Sequence, residues 1–378
     1  MRIIFLFILL FSVIFSSSGF SLTLVENSYR QIKAVQIFNL DSQYENNLSE
    51  YFRKLKNSGI NTVFFRVFQN YGDRFHLGVQ SYCQSGVYFK SQNACVISDL
   101  LSKVVKYAGM YDLKVYAWMS TRSLSFLKNK YHLEVAFKDG DFVEGYGVSI
   151  FNPDVRREIT KLFKDLAYYD IDGILIQDDF ILRYNEGFSK AARHRFFVDT
   201  GHYPDPAKLF KDNRKNSFYN SWSEWKMRQL SAFLSELRFA VKLINPGIKF
   251  AVNIYYETPS QPGNGLSWYS QSIDRYKNLG FSYYAYMAYH EQISRETGGS
   301  FYDTMEYINK SINSFLKYGL DEKQIIVKIQ VRSFYNGRVK LPEKEINILC
   351  DLIDNYGKLS YALVPFERIS DIPKFCFY

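Results

Sequence analysis

The chain has 378 residues and carries 47 Lys and Arg against 38 Asp and Glu, a formal net charge of +9. Hydrophobic residues make up 47%, which excludes a disordered, collagen-like or low-complexity protein. The length accommodates one large core or two domains, and the aromatic fraction of 18% suits carbohydrate stacking without naming a function.

The first element is a leader. Met1-Arg2 is followed by an apolar run from Ile3 to Phe15, broken only by Ser12, and then by Ser16-Ser17-Ser18-Gly19-Phe20-Ser21. A basic tip, a short apolar segment and a small-residue stretch read as a secretory signal over residues 1–21. The run is shorter than the 20 or so residues of a membrane span. The expectation is a secreted or periplasmic protein whose mature part, 22–378, is one domain. Export permits disulfides, and there are four Cys. Cys83 and Cys95 flank a Gly- and Ser-containing loop and are expected to bridge it. Cys350 shares helical spacing with Ile346, Leu349 and Ile353, which predicts a core thiol, and Cys376 lies in the tail. With no CxxC and no HExxH, no metal site or cofactor is indicated.

From residue 30, short apolar runs alternate with helical patterns. Strands are predicted at 34–40, 62–68, 114–119, 173–176, 250–255, 283–288, 325–331 and 360–364. Between them, Leu48, Tyr51, Phe52 and Leu55 share a helical face that Gly59 ends. A further helical stretch runs near 97–107, and Asn152-Pro153 opens another, with Asn as N-cap and Pro in the first turn. A long polar connection around 201–220 leads into a helix with Leu230, Phe233, Leu234, Leu237, Val241 and Ile244 inward. Eight such βα alternations without a glycine-rich phosphate loop predict an α/β fold, a single (β/α)8 TIM barrel.

In such a barrel the chemistry lies at the C-terminal strand ends. Reading the polar residues there gives Asn39 and Asp41; Gln69, Asn70 and Asp73; Ser120, Thr121 and Arg122; Asp178 and Asp179 with Glu186 beyond; Glu257; His290 and Glu291; Arg332; and Glu367. Acids outnumber bases on this rim. Two adjacent carboxylates leaving a buried strand would raise one pKa, making a proton donor. Because successive strand residues point opposite ways, one of Asp178 and Asp179 is expected to do chemistry while the other caps a helix or supports it. Glycoside hydrolysis needs a second carboxylate, for which Glu257, Glu291 and Glu367 are candidates. Tyr255, Tyr256, Trp118, Trp268 and Tyr289 are candidate sugar platforms, although Trp118 and Tyr255 also suit the core. The loops 70–93 and 258–268 are expected to select the substrate. No GxSxG, Walker or dinucleotide motif occurs, and no basic run suggests nucleic acid.

Four stretches carry a resemblance: Ala34-Val35-Gln36-Ile37-Phe38-Asn39-Leu40-Asp41, Ser58-Gly59-Ile60-Asn61-Thr62-Val63-Phe64, Lys114-Val115-Tyr116-Ala117-Trp118-Met119 and Asp172-Gly173-Ile174-Leu175-Ile176-Gln177-Asp178-Asp179. Together they resemble the C-terminal glycoside-hydrolase-like barrel of the PgaB family, periplasmic poly-β-1,6-N-acetylglucosamine deacetylases of biofilm exopolysaccharide export. The resemblance implies cleavage within partly de-N-acetylated poly-β-1,6-glucosamine or a related aminosugar polymer. By position, Asp178 is the catalytic aspartate, with Asp179, Glu257 and Glu291 as supporting or partner carboxylates. Asp41, Gln177, Glu186, Tyr255, Tyr289, His290 and Glu367 are the substrate-binding candidates. A polycationic sugar would suit an acidic rim, and the export machinery is a conceivable partner. Two departures stand out. Gln177 occupies the place where that family usually has His, and no deacetylase domain precedes the first strand, so the chain reads as a stand-alone barrel. A non-catalytic polysaccharide-binding barrel assisting export or retention, or a hydrolase of another aminosugar or peptidoglycan-type glycan, remain the alternatives.

Overall fold

The computed structural model describes residues 30–214 and 216–377. The leader reading at 1–21 lies outside them. Twelve strands are formed: β1 (Lys33–Ile37), β2 (Thr62–Arg66), β3 (Phe68–Gln69), β4 (Gly86–Val87), β5 (Lys114–Met119), β6 (Leu133–Lys138), β7 (Asp141–Val148), β8 (Gly173–Ile176), β9 (Lys249–Ile254), β10 (Tyr283–Ala288), β11 (Ile325–Gln330) and β12 (Ser360–Phe366). Eight of them, β1, β2, β5 and β8 to β12, close a barrel in that order. Every neighbour pair is parallel, and the ring shuts where Ala34 of β1 registers with Ala362 of β12. These strands read as continuous apolar runs because helices cover their outer face while the barrel core fills the inner one.

The helices form where the caps and apolar spacing put them. Leu48–Asn57 starts at Asn47, whose side chain accepts the Glu50 N–H at 3.1 Å, and buries Leu48, Tyr51, Phe52 and Leu55. Pro153–Leu166 is capped by Asn152, which accepts the Asp154 N–H at 2.9 Å. The long helix Ser217–Lys242 begins earlier than its barrel-facing apolar stripe. Its first half serves a separate aromatic core, in which Trp222 and Trp225 pack with Phe188 and Phe196. Among the described residues no helix is long and apolar enough to cross a membrane.

Three features depart from the sequence reading or sharpen it. First, the span between β5 and Pro153–Leu166 contains an antiparallel hairpin, β6–β7. Its turn residues Asp139 and Gly140 both have positive φ, 52° and 93°, as a tight Asp-Gly hairpin turn requires. Second, Cys83 and Cys95 are bonded as expected, but Cys350 is not a free core thiol: it is bonded to Cys376. Cys350 is fully buried, as its helical spacing demands, and the turn Lys374–Phe377 folds back onto the helix Glu343–Asp354 to meet it. Third, Gly173 in the Asp-Gly-Ile signature is enforced by packing. A Cβ there would lie 2.1 Å from the Tyr116 ring and 2.8 Å from the Lys249 carbonyl oxygen. Gly173→Ala is therefore expected to cost about 1–3 kcal/mol of stability, seen as a lower urea midpoint at unchanged m-value. An unchanged midpoint would mean the Tyr116 ring moves aside freely.

Candidate active site

At the C-terminal end of the barrel, the strand exits enclose a cavity of about 380 Å³. Its aromatic walls come from opposite sides. Trp118, at the end of β5, packs against Phe38 with ring centroids 4.7 Å apart, and Phe68 meets its edge at 5.9 Å. Facing them are Tyr289 and Phe334, edge to face at 5.1 Å. Tyr146, carried in by the β6–β7 hairpin, completes the wall, with the Arg183 guanidinium 4.3 Å from its ring centre.

Two carboxylates line this space, Asp178 and Asp73. Asp178 leaves β8 just after Gln177, whose N–H is held by the Met119 carbonyl at 3.0 Å. Tyr255 donates to the Asp178 main-chain oxygen at 3.2 Å, which fixes the backbone there. The Asp178 carboxyl itself accepts no hydrogen bond from any other described residue. Burial pushes its pKa up, the Lys328 ammonium pulls against that rise, and the Asp179 carboxylate adds to it. Lys328 stands inside β11, fully buried, and donates to Asn253 Oδ1 at 3.0 Å. Burial depresses its ammonium to about 8, with Asp178 opposing. Asp73 is salt-bridged to Arg66 at 3.2 Å and accepts the Asn70 N–H at 3.0 Å.

The other sequence candidates divide sharply. Gln177 and Tyr289 line the cavity, and so does Trp118, although only 4% of it is exposed. Gln177 Oε1 accepts the Trp118 indole N–H, so the amide that stands where the resembled family has His braces a wall. Asp179 is engaged by internal partners. It turns away into the β5 exit and accepts from Ser120 Oγ at 2.7 Å, Thr121 N at 2.9 Å, Thr121 Oγ1 at 3.0 Å and Ser123 N at 2.7 Å. Glu186 is equally committed, buried against Arg122 at 3.1 Å and accepting from Tyr146 N and Arg183 N. Burial pushes its carboxyl up, but Arg122 and those two N–H groups outweigh burial and hold it below the usual range.

None of the three expected partner carboxylates lines the cavity. Glu257 accepts from Asn264 and Tyr269 in the segment after β9. Glu291 accepts from Gln330 and Ser333 at the β11 exit. Glu367 pairs with Arg338 at 2.7 Å, and it is Arg338 that lines the mouth. Asp41 closes a local turn by accepting from Gln43. His290 is buried 3.3 Å from Glu345, and burial lowers its pKa to about 4 against the opposing effect of Glu291. Tyr255 stacks on Tyr269 at 4.0 Å, Tyr256 donates to Glu296, and Trp268 packs on Tyr184, all outside the cavity lining. Loop 70–93 supplies Asn70 and Asp73, whereas loop 258–268 supplies nothing to the lining.

The acidic rim is thus not what a ligand meets. The acids are consumed by internal partners, and the cavity presents Arg66, Lys328 and Arg338 beside Asp73 and Asp178. The reading of strand ends overlooks Gln36, Arg66 and Lys328 because they fall inside the predicted runs 34–40, 62–68 and 325–331, whereas β1 and β2 end at Ile37 and Arg66. The signal that finds them is a charged or amide residue inside an apolar run, as in Ile326-Val327-Lys328-Ile329. A larger groove, about 550 Å³, lies outside against the helix Pro153–Leu166, and Arg156 there is already paired with Glu236. Among the described residues no cluster of three or more His, Cys, Asp or Glu could hold a metal ion.

A parallel eightfold barrel with an unengaged carboxyl at its C-terminal mouth, between aromatic walls, defines a glycoside-hydrolase-like protein. Residues 35–362 match the family described as hypothetical glycosyl hydrolase family 13, and the chain belongs to that family. The fold is similar to the PgaB (BpsB) glycoside hydrolase domain from Bordetella bronchiseptica, with TM-score 0.73 and 21% identity over 92% of this chain and 97% of that one. It is also similar to the β-amylase catalytic domain from Paenibacillus polymyxa, with TM-score 0.60 and 12% identity over 90% and 92%. A third likeness is the endo-1,4-β-mannanase from Rhizomucor miehei, with TM-score 0.56 and 13% identity over 92% and 93%. No curated protein matches the sequence.

Proposed function

We propose that this protein is an exported, endo-acting glycoside hydrolase of an aminosugar polymer of the poly-β-1,6-N-acetylglucosamine type. Asp178 is its general acid and Asp73 the base that activates water. The proton moves from the Asp178 carboxyl to the glycosidic oxygen as the C1–O bond breaks. Water adds to C1 and gives its proton to Asp73, while the aromatic walls hold the neighbouring rings. The observation that carries this reading is Asp178: a carboxyl at the barrel mouth, free of hydrogen bonds from other described residues, with its pKa raised by burial. Two disulfides support an oxidising compartment. The similarity in fold to the PgaB (BpsB) glycoside hydrolase domain supports the polymer class.

The test is incubation of the chain from residue 22 with fully and partly acetylated poly-β-1,6-glucosamine, with products read by mass spectrometry. Short oligomers are expected. Intact polymer that nevertheless co-sediments with the protein would replace the hydrolase reading with a binding barrel. A second expectation concerns pH. Because the Lys328 ammonium lowers the Asp178 pKa, Lys328→Met should raise it further. A general acid works while protonated, so the basic limb of the kcat/KM profile should move to higher pH. A limb that stays in place or moves down would remove Asp178 as the acid.

A further inference from the structure

Gln36 takes no part in the roles proposed above, yet it lies one residue from the C-terminal end of β1 and lines the cavity. It is 1% exposed, its Oε1 has no hydrogen-bond partner, and its carboxamide makes no side-chain hydrogen bond with any described residue. Val35 and Ile37 on either side point to the opposite face of the strand. A buried amide without partners is costly unless something bonds to it.

The groups beside it have donors to spare. Arg66 is also buried, and its Nε has no partner, although its terminal nitrogens are taken up by Asp73, Asn39 and the Arg74 carbonyl. The Lys328 ammonium has three hydrogens, and its one hydrogen bond among the described residues is to Asn253. The cavity lining therefore holds the Gln36 carboxamide and the Asp178 carboxyl without hydrogen bonds from other described residues, unused hydrogens on the Lys328 ammonium, and Arg66 and Arg338, which are already paired with Asp73 and Glu367. A hydroxyl or an acetamido group, each both donor and acceptor, satisfies such a set. A protonated amine donates only, so it would leave those donors unsatisfied.

We propose that Gln36 is a specificity-determining residue of this site, bonding an uncharged hydroxyl or acetamido substituent, and that the sugar unit seated over it is not a free amine. This rests on the hydrolase reading and selects which unit of a mixed polymer enters the cavity. The experiment uses three β-1,6-linked oligosaccharides of equal length, built from N-acetylglucosamine, glucose or glucosamine. They are assayed at about pH 5.5, below the ordinary range of aliphatic amines, with the native chain, Gln36→Leu and Gln36→Glu.

The native protein is expected to favour both neutral oligomers over the amine by at least about tenfold in kcat/KM. Gln36→Leu should lose most of that preference through KM, and Gln36→Glu should shift it toward the amine. Equal or faster cleavage of the amine oligomer by the native chain, or a Gln36→Leu variant with native ranking, overturns the proposal. Should none of the three be cleaved, the hydrolase reading fails. Calorimetric titration of the same oligomers then decides on Gln36, with tighter binding of the neutral ones supporting it and equal or tighter binding of the amine refuting it. If a variant does not fold, by circular dichroism, the native ranking alone decides.

Discussion

Asp178→Asn should reduce kcat on a poly-β-1,6-N-acetylglucosamine oligomer by about 10²–10⁴-fold while leaving the protein folded. The carboxamide keeps the size and shape of the side chain, and no hydrogen bond from another described residue is lost with the acid. What disappears is the transferable proton. The same replacement removes a group whose ionised form burial disfavours, so thermal unfolding at neutral pH should fall no lower than in the native protein. Steady-state kinetics and a melting curve on one preparation check both halves. Near-native kcat in a folded variant would require another acid and would undo the mechanism.

Asp179→Ala should do the reverse of this at the neighbouring position. Its carboxylate collects two hydroxyls and two backbone N–H groups from residues 120 to 123. Deleting it leaves buried donors without partners, each costing about 1–3 kcal/mol, and the sum after relaxation should be about 3–5 kcal/mol. Urea titration should show this as a large drop in midpoint, with poor expression as its practical sign. Asp179→Asn keeps one acceptor oxygen and should lose less. If Asp179→Ala unfolded at the native midpoint, the β5 exit would not depend on this carboxylate. Two adjacent aspartates would thus separate cleanly, one measured by turnover and the other by stability.

That separation was half legible in the sequence. Strand alternation says that Asp178 and Asp179 diverge, and the position after the fourth barrel strand says which end of the barrel they occupy. The eight barrel strands are readable because each is a short apolar run between helical patterns, and all eight form. The partners of the acids are not readable. Glu257, Glu291 and Glu367 stand at the right depth, but side-chain direction within a loop is set by contacts such as Tyr269, Ser333 and Arg338. Spacing does not encode those. The reversal of the expected acidic rim follows from this, since a count of charges along the chain cannot tell a paired carboxylate from a free one. Cys350 shows the same limit. Its periodic position reports burial correctly and is silent about the tail segment that returns to it. The β6–β7 hairpin is signalled locally, because Asp139-Gly140 is a strong short-range turn signal.

That hairpin is also a detachable instrument. Its base is anchored where the buried Glu134 accepts from Ser149 and Ser189, one of its residues, Tyr146, reaches the cavity, and its tip from Lys138 to Glu144 is exposed. A dye attached at Asp139 would therefore ride on the same two strands that carry a wall of the cavity, outside the barrel and clear of both disulfides. Polymer arrival could be followed in real time by fluorescence, and hairpins of other lengths could be exchanged between relatives without recutting the barrel itself.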